Sequence, residues 1–222
     1  MKFKGEEVTF LGWLDNVWYH FKAPIVIGFF ALIIIVVGTT QMATREEHDV
    51  FVYCVGDMGL SAEAVDKFTS EMQDKFTPDS NGDGKNIADL KFDKFVMAEN
   101  AAGKKIVFNP SEQLSVSERF NLELAAGECI VYIMEPAFFY GNLDYLASFE
   151  ETLGYVPENA IEGKGIKMSD LKSYKATMTL SYFPEDYIIC LADMEKRYEE
   201  DYYMGNVQFL ENLIKYKLVS KN

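Results

Sequence analysis

The sequence predicts an α/β protein, in which a transmembrane helix near the N-terminus precedes a small, mostly parallel sheet with helices on both faces. Two observations lead to this fold class. An uncharged apolar run occupies residues 23–44, and after it strand-like segments rich in β-branched and aromatic residues alternate with segments of helical periodicity. Strands that alternate with helices are typical of a parallel sheet covered on both faces.

The apolar run extends from Ala23 to Thr44 without a charged residue. At about 1.5 Å per residue a helix of this length reaches about 33 Å, which spans a hydrocarbon core of roughly 30 Å. Aromatic side chains precede the run, where an interfacial belt is expected. They are Trp13, Trp18, Tyr19 and Phe21.

A buried core helix and a cleaved signal peptide are the two alternatives to a membrane anchor. A buried helix of this length rarely lacks a charge, and a signal peptide begins with a short basic segment, whereas this leader is long and aromatic. Residues 39–43 also contain no A-x-A cleavage site. The pattern therefore favours an uncleaved anchor, with Pro24 in the first turn, where its missing N–H is tolerated.

The charges beside the run predict its orientation. Lys2, Lys4 and Lys22 precede it, whereas only Arg45 follows it before Lys67. The positive-inside rule then places the N-terminus in the cytoplasm and the rest of the chain outside the cell. We therefore expect a cytoplasmic or interfacial segment over 1–22, a transmembrane helix over 23–44 and an extracellular α/β domain over 45–222.

Residues 9–22 carry an apolar stripe of helical spacing, formed by Phe10, Leu14, Val17, Trp18 and Phe21. Two interpretations are open: an interfacial segment continuous with the membrane helix, or a docking helix for another membrane protein.

The net charge of −14 belongs entirely to the part of the chain after residue 43, because residues 1–43 hold three lysines and three acids. Phosphate backbones and anionic membrane surfaces repel such a domain, so we expect no nucleic-acid partner.

Three strands are predicted to be buried, since their residues are almost all apolar. They span 49–56, 128–134 and 187–192, and weaker candidates span 90–97, 105–108 and 177–182. One helix is expected after the N-cap Ser61, and a second between a capping box at Ser115 and a stop at Gly127. Two more are expected over 137–153 and 201–217.

Several kinds of catalytic chemistry are excluded, because His20 and His48 are the only histidines and both flank the membrane segment. We therefore expect no Ser-His or Cys-His pair and no histidine zinc site in the folded part of the outer domain. Cys54, Cys129 and Cys190 fall in the three strong strands, where buried thiols are expected. Gly163-Lys164-Gly165 lacks the spacing of a phosphate loop and is expected to be a turn.

The segment from Asp79 to Lys85, Asp-Ser-Asn-Gly-Asp-Gly-Lys, is the most specific motif. Asp79, Asn81 and Asp83 match positions 1, 3 and 5 of an EF-hand-type calcium loop, and Lys85 would offer its carbonyl at position 7. Position 12 is a leucine, and Asp89 lies one place early. A structural Ca²⁺ site and a polar turn held by Asx hydrogen bonds are both open.

Ligands of parallel α/β sheets lie beyond the carboxyl ends of the strands. Glycines beside a helix N-terminus suit an anion, and aromatic rings suit a sugar, although an ordinary turn with core aromatics explains the same residues. The candidate ligand residues at these strand ends are Gly56, Asp57, Gly59, Ser61, Glu135, Phe138, Phe139 and Asp193.

The order of a strand, a capped helix and the run Leu124-Ala-Ala-Gly-Glu-Cys-Ile-Val-Tyr-Ile-Met134 resembles part of a type 2 extracytoplasmic solute-binding protein. The resemblance covers roughly residues 49–135 and implies one lobe of that fold. The chain is also similar to single-pass membrane proteins of clostridial-type bacteria that carry an Asp-x-Asn-Gly-Asp-Gly loop at the same place.

These observations favour a non-enzymatic extracellular domain that is held in the cell membrane and binds another protein or an envelope component. A small-molecule or sugar-binding component related to solute-binding proteins is the first alternative. A glycan hydrolase that uses paired carboxylates is the second.

Overall fold

A computed structural model describes residues 10–43, 47–95, 97–99, 105–107, 110–193 and 200–219. The chain divides into two compact units, residues 1–46 and 47–222. Residues 1–9 and 44–46 lie outside the described residues, and with them Lys2, Lys4 and Arg45, which carry the orientation argument.

The first unit contains one helix, α1 (Phe10–Ala43), of 34 residues. Its stretch Val17–Thr40 is long and apolar enough to cross a membrane, and none of that stretch is buried by the protein itself. The helix starts well before the apolar run, so the prediction that Pro24 lies in a first turn is wrong. Pro24 lies inside α1 and leaves the carbonyl of His20 without its helical donor.

Two threonines near the end of the apolar stretch satisfy their own hydroxyl groups. Thr39 donates to the carbonyl of Ile35 at 2.8 Å, and Thr40 donates to the carbonyl of Val36 at 2.8 Å. Such bonds within one helix allow hydroxyl groups to enter an apolar environment without an unpaired donor.

The second unit is built on a six-stranded sheet of order β2-β1-β5-β8-β7-β6. The strands are β1 (Val50–Gly56), β2 (Ala88–Lys94), β5 (Val131–Met134), β6 (Ala160–Ile161), β7 (Gly165–Lys167) and β8 (Ile188–Leu191). A separate hairpin is formed by β3 (Met97–Glu99) and β4 (Lys105–Val107).

The sheet is mixed, and the expectation of a mostly parallel sheet holds for only half of it. β1 runs parallel to both β2 and β5. β8 runs antiparallel to β5 and to β7, and β6 runs antiparallel to β7. A parallel crossover requires a long connection that covers the sheet, usually a helix, whereas β8 is reached through an irregular segment.

Successive residues of the central strands enter two different apolar clusters, as the alternation of a strand requires. In β1, Val52 and Cys54 belong to one cluster, and Tyr53 and Val55 to the other. Two helices, α2 (Ala62–Lys75) and α6 (Glu200–Lys215), supply buried residues to the first cluster. Two others, α3 (Pro110–Ala126) and α4 (Pro136–Gly141), supply buried residues to the second.

Two helix predictions need correction. α3 begins at Pro110, so Ser115 lies inside it, and the Ser115 hydroxyl accepts a hydrogen bond from Arg119 at 3.0 Å instead of capping a helix. The helix predicted over 137–153 is broken into α4, a 3-10 turn at Leu143–Tyr145 and α5 (Phe149–Leu153). In contrast, Ser61 caps α2 and Gly127, at φ 70°, ends α3 as predicted.

Residues 168–187 form an irregular excursion that contains two 3-10 turns, where a strand was predicted over 177–182. Hydrogen bonds to α2 and hydrogen bonds within the excursion hold it. Glu71 of α2 accepts hydrogen bonds from the Thr179 hydroxyl at 2.6 Å and from its N–H at 3.1 Å. Within the excursion, the Tyr174 hydroxyl donates to the Phe183 carbonyl at 2.8 Å.

The three cysteines are buried and free, as predicted. Cys54 and Cys190 lie in strands, and Cys129 lies two residues before β5. Burial raises the pKa of all three thiols, so none is a thiolate at neutral pH. Residues 162–164 form the predicted turn at Lys164, whose ammonium group donates to the carbonyls of Leu143 and Leu146.

Gly205 tests the packing of α6 on the loop before β2. A Cβ atom at Gly205 would lie 2.6 Å from Cβ of Ser80. Glycine-to-alanine substitution in an open helix stabilises by up to about 1 kcal/mol, whereas overpacking costs about 1–3 kcal/mol. We expect Gly205→Ala to lower the midpoint of thermal unfolding of the full chain in detergent micelles. Gly141→Ala in α4 is the control, because nothing lies within 4 Å of its Cβ position. Equal midpoints for Gly205→Ala and the wild type would show that this contact is not tight.

Glu71 predicts a pH-dependent term in stability. Burial alone would raise its pKa, but hydrogen bonds from Lys75 and Thr179 outweigh burial and hold the pKa below its usual range. The stabilisation is therefore present above the ordinary glutamate pKa of about 4.3 and disappears as pH falls through the lower folded value. We expect Glu71→Gln to lower the unfolding free energy by about 1 kcal/mol at pH 7, with a smaller difference below about pH 4. Glu63→Gln, in an exposed pair with Lys67, is the control and should change little. A difference that does not vary with pH would contradict this role.

Candidate functional site

The carboxyl ends of β1 and β5 lie side by side, because these strands are parallel and Val55 pairs with Met134. The Glu135 N–H donates to the Val55 carbonyl at 2.9 Å. The structure thus brings together Gly56, Asp57 and Glu135, as the sequence predicts for neighbouring parallel strands.

Tyr187 occupies the space beside Gly56. A Cβ atom at Gly56 would overlap the Tyr187 hydroxyl, and the Asp57 N–H hydrogen-bonds to that hydroxyl. Burial is the main reason that the Tyr187 pKa is raised, and the negative charges of Glu135 and Asp57 add to it. Sequence reasoning missed Tyr187 because it was assigned only to the start of a strand. Its ring fills the place where a ligand would approach β1.

Both helix N-termini at this end are capped by the chain itself. Ser61 Oγ accepts a hydrogen bond from the Ala64 N–H at 3.3 Å. A carboxylate oxygen of Glu135, which is buried, accepts from the Ala137 N–H at 2.8 Å and from the Phe138 N–H at 3.3 Å. These side chains use the N–H groups that an anion would need.

Phe138 and Phe139, the two aromatic residues predicted to suit a sugar, pack in the core. Phe139 is fully buried, and Phe138 is half-buried with its ring centroid 5.9 Å from that of Phe95 and 5.2 Å from that of Phe120. Phe139 therefore has no exposed face on which a sugar could stack, and Phe138 is packed against two other rings. The alternative of core aromatics therefore describes both residues.

Gly59 is exposed in the turn before Ser61. Asp193, in contrast, lies at the end of the sheet opposite the carboxyl ends of β1 and β5. The Asp193 N–H donates to the Tyr145 carbonyl at 2.9 Å, and the neighbouring Ala192 N–H donates to the Ile130 carbonyl, before β5 begins. The prediction that Asp193 joins the other candidates assumed a parallel β8. Because β8 is antiparallel to β5, its carboxyl end lies beside the amino end of β5.

The loop over Asp79–Lys85 closes through its own side chains. Asp79 accepts hydrogen bonds from the Gly82 N–H at 2.8 Å and from the Gly84 N–H at 3.0 Å. Asn81 accepts from the Asp83 N–H at 2.9 Å, and Asp83 accepts from the Lys85 N–H at 2.8 Å. Gly82 and Gly84 have positive φ angles of 74° and 81°, which suit glycine at these turns. These Asx turns explain the residue types without a metal.

A buried carboxylate that sequence reasoning did not single out holds this loop in place. Asp49, 1% exposed, accepts hydrogen bonds through one oxygen from the Ser80 N–H at 2.8 Å and the Ser80 hydroxyl at 2.9 Å. Its other oxygen accepts from the Ile87 N–H at 2.8 Å. An acidic residue at the first position of the strand predicted over 49–56 was the signal in the sequence, since a buried charge requires nearby donors.

Asp89, the remaining predicted metal ligand, does not belong to the loop. It is the second residue of β2, accepts a hydrogen bond from the Leu90 N–H at 2.7 Å and lies 3.9 Å from the His48 imidazole. Within the described residues, no three His, Cys, Asp or Glu side chains are gathered as a metal site. An open groove of about 470 Å³ lies beside the loop, between residues 78–80, α5 and α6. Its charged lining is acidic, from Asp79, Asp201 and Glu211, which disfavours anions.

A network of charged groups fixes α3 on the sheet. The Tyr53 hydroxyl and the Arg119 guanidinium both donate to the Asp93 carboxylate, the latter at 2.8 Å. Lys91 donates to Glu123, which also lies 3.7 Å from Sγ of Cys129. Each charge in the network faces a partner, so the arrangement is that of a structural contact between β2 and α3.

The loop yields a prediction that separates its two interpretations. Asp79→Asn together with Asp83→Asn should lower the unfolding midpoint even with chelator, because amides are weaker acceptors than carboxylates for backbone N–H groups. The calcium hypothesis adds a second expectation, which is a higher wild-type midpoint in millimolar Ca²⁺ than in chelator and no such rise in the double variant. The readout is thermal unfolding of the full chain in micelles, with Mg²⁺ as the control. Equal wild-type midpoints would identify the loop as an Asx-bonded turn alone.

Comparisons with protein-family models, with curated proteins and with solved structures find no match to this chain.

Proposed function

We propose that the chain is a single-pass membrane protein whose acidic α/β domain lies outside the cytoplasm and binds another protein or an envelope component without catalysis. The observation that carries the proposal is the stretch Val17–Thr40, which is apolar, helical and unburied by the protein. A helix with these properties needs an apolar environment, and a bilayer supplies one.

The order of the flanking charges supports an anchor with a cytoplasmic N-terminus, because three lysines precede the uncharged run over 23–44 and one arginine follows it closely. The residues before the run are neutral overall and rich in aromatic side chains, which favours retention of the anchor over cleavage. The hydroxyl bonds of Thr39 and Thr40 are compatible with residence in lipid.

The absence of catalysis is inferred from what the candidate residues do. Glu135 and Ser61 cap helices, Phe139 packs in the core, and burial raises the pKa of the cysteine thiols. The parallel half of the sheet, with a capped helix after β1 and another after β5, supports a relationship to one lobe of a solute-binding protein. Tyr187 fills the strand end beside Gly56, so binding of a macromolecule is favoured over solute capture at that place.

A cross-linking experiment tests location and binding together. Intact cells that make the tagged full chain would be treated with a membrane-impermeant, amine-reactive cross-linker, since the domain carries many exposed lysines such as Lys67 and Lys94. We expect one envelope component to be recovered in saturable amount. A chimera that keeps residues 1–46 before an unrelated soluble domain is the control and should not recover it. Absence of modification would contradict the location, and modification without a saturable product would contradict the binding role.

A further inference from the structure

The two edges of the main sheet differ in length. β6, at one edge, has two residues, whereas β2, at the other, has seven and pairs with β1 alone among the described strands. Edge strands present backbone groups that can pair with another chain, and natural proteins usually shorten or cover them.

Hydrogen bonds identify which backbone groups of β2 point away from β1. The Val50 N–H donates to the Ile87 carbonyl at 3.1 Å, and the Phe95 N–H donates to the Gly56 carbonyl at 3.2 Å. Alternate residues of a parallel strand bond to the same neighbour, so residues 89, 91 and 93 also face β1. The backbone groups of Ala88, Leu90, Phe92 and Lys94 therefore point away from the sheet.

The first part of this edge is engaged by hydrogen bonds, whereas the second part is open as far as the described residues extend. Gln73 of α2 donates to the Ala88 carbonyl at 3.1 Å, and Asp89 accepts from the Leu90 N–H. Four further outward groups make no hydrogen bond to any described residue. They are the Leu90 carbonyl, the Phe92 N–H, the Phe92 carbonyl and the Lys94 N–H. Two donors and two acceptors in sequence form a template for an extended backbone.

The side chains beside this edge specify the chemistry of an added strand. Leu90 and Phe92 lie on one face, where the Phe92 ring is stacked on Phe183 at a centroid distance of 6.4 Å. Asp89, Lys91 and Asp93 occupy the other face, because side chains alternate along a strand. A strand with apolar residues on the Phe92 side and polar residues on the other matches both, and the net charge of −14 favours basic residues among the polar ones.

We propose that the open edge of β2 binds an extended segment of a partner protein, of alternating apolar and basic residues, as an added strand. The inference rests on the proposed binding function and narrows its partner to a protein. Main-chain hydrogen bonds to Phe92 and Lys94 supply affinity, and the apolar contact with Phe92 fixes the register of the added strand.

The test uses a phage-displayed library of random 12-residue peptides, selected on the full chain in detergent micelles. Lys94→Pro removes the outward N–H, and Lys94→Ala is the matched control that keeps it. Lys94 is exposed and its N–H makes no bond to β1, so neither substitution removes a hydrogen bond to another described residue. We expect selected peptides to bind the wild type and Lys94→Ala equally, and Lys94→Pro at least about fivefold more weakly. Amide hydrogen exchange at Phe92 and Lys94 of the wild type should slow when a selected peptide binds.

The following results would overturn the inference. Peptides that bind Lys94→Pro as well as the wild type, or that leave exchange at Phe92 and Lys94 unchanged, use another surface. Failure of the library to yield any binder would show that the edge does not accept strands. If Lys94→Pro does not fold, the exchange measurement on the wild type decides alone. A native partner that cross-links to the wild type and to Lys94→Pro equally would preserve the proposed function while removing the edge from it.

Discussion

The second unit depends on one buried ionic group, the carboxylate of Asp49. The two carboxylate oxygens accept hydrogen bonds from the backbone of Ser80, Asn81 and Ile87. The backbone carbonyl of Asp49 also accepts a hydrogen bond, from Asn206 Nδ2 at 3.1 Å. Burial of a carboxylate costs several kcal/mol unless its lone pairs are satisfied. The start of β1, the loop before β2 and α6 must therefore meet at one point, because only together do they supply the donors and cover the charge.

This constraint determines the position of β2. Ile87 directly precedes β2. Its N–H donates to the Asp49 carboxylate and its carbonyl accepts from the Val50 N–H, and these bonds begin the β1–β2 register at Val50 and Ala88. β2 is then long, parallel to β1 and at the edge, and among the described residues its outward groups are engaged only at the end nearest Asp49.

Residues that resemble a ligand site are used here to complete the fold. Glu135 replaces an anion at the start of α4, and the Asp79 loop binds its own N–H groups. Tyr187 packs against Gly56 where a substrate would approach the sheet. Polar groups that already have hydrogen-bond partners within the chain are poor candidates for binding a ligand or a substrate. The backbone edge of β2 and the membrane helix are therefore better candidates for function than the strand ends.

Local pattern alone determined the membrane-length helix, the three buried strands, the cap at Ser61, the stop at Gly127 and the burial of the cysteines. These features depend on hydrophobic periodicity and on turn chemistry within a few residues, so they can be identified without knowledge of distant contacts. The tertiary structure alone decided the direction of β8, the breaks in the segment 137–153 and the role of Asp49. Strand direction depends on the path of a connection, and here the excursion over 168–187 is held by Glu71, which lies 108 residues before its partner Thr179. A buried carboxylate likewise shows its function only when the donors around it, from Ser80 to Ile87, are brought together by folding.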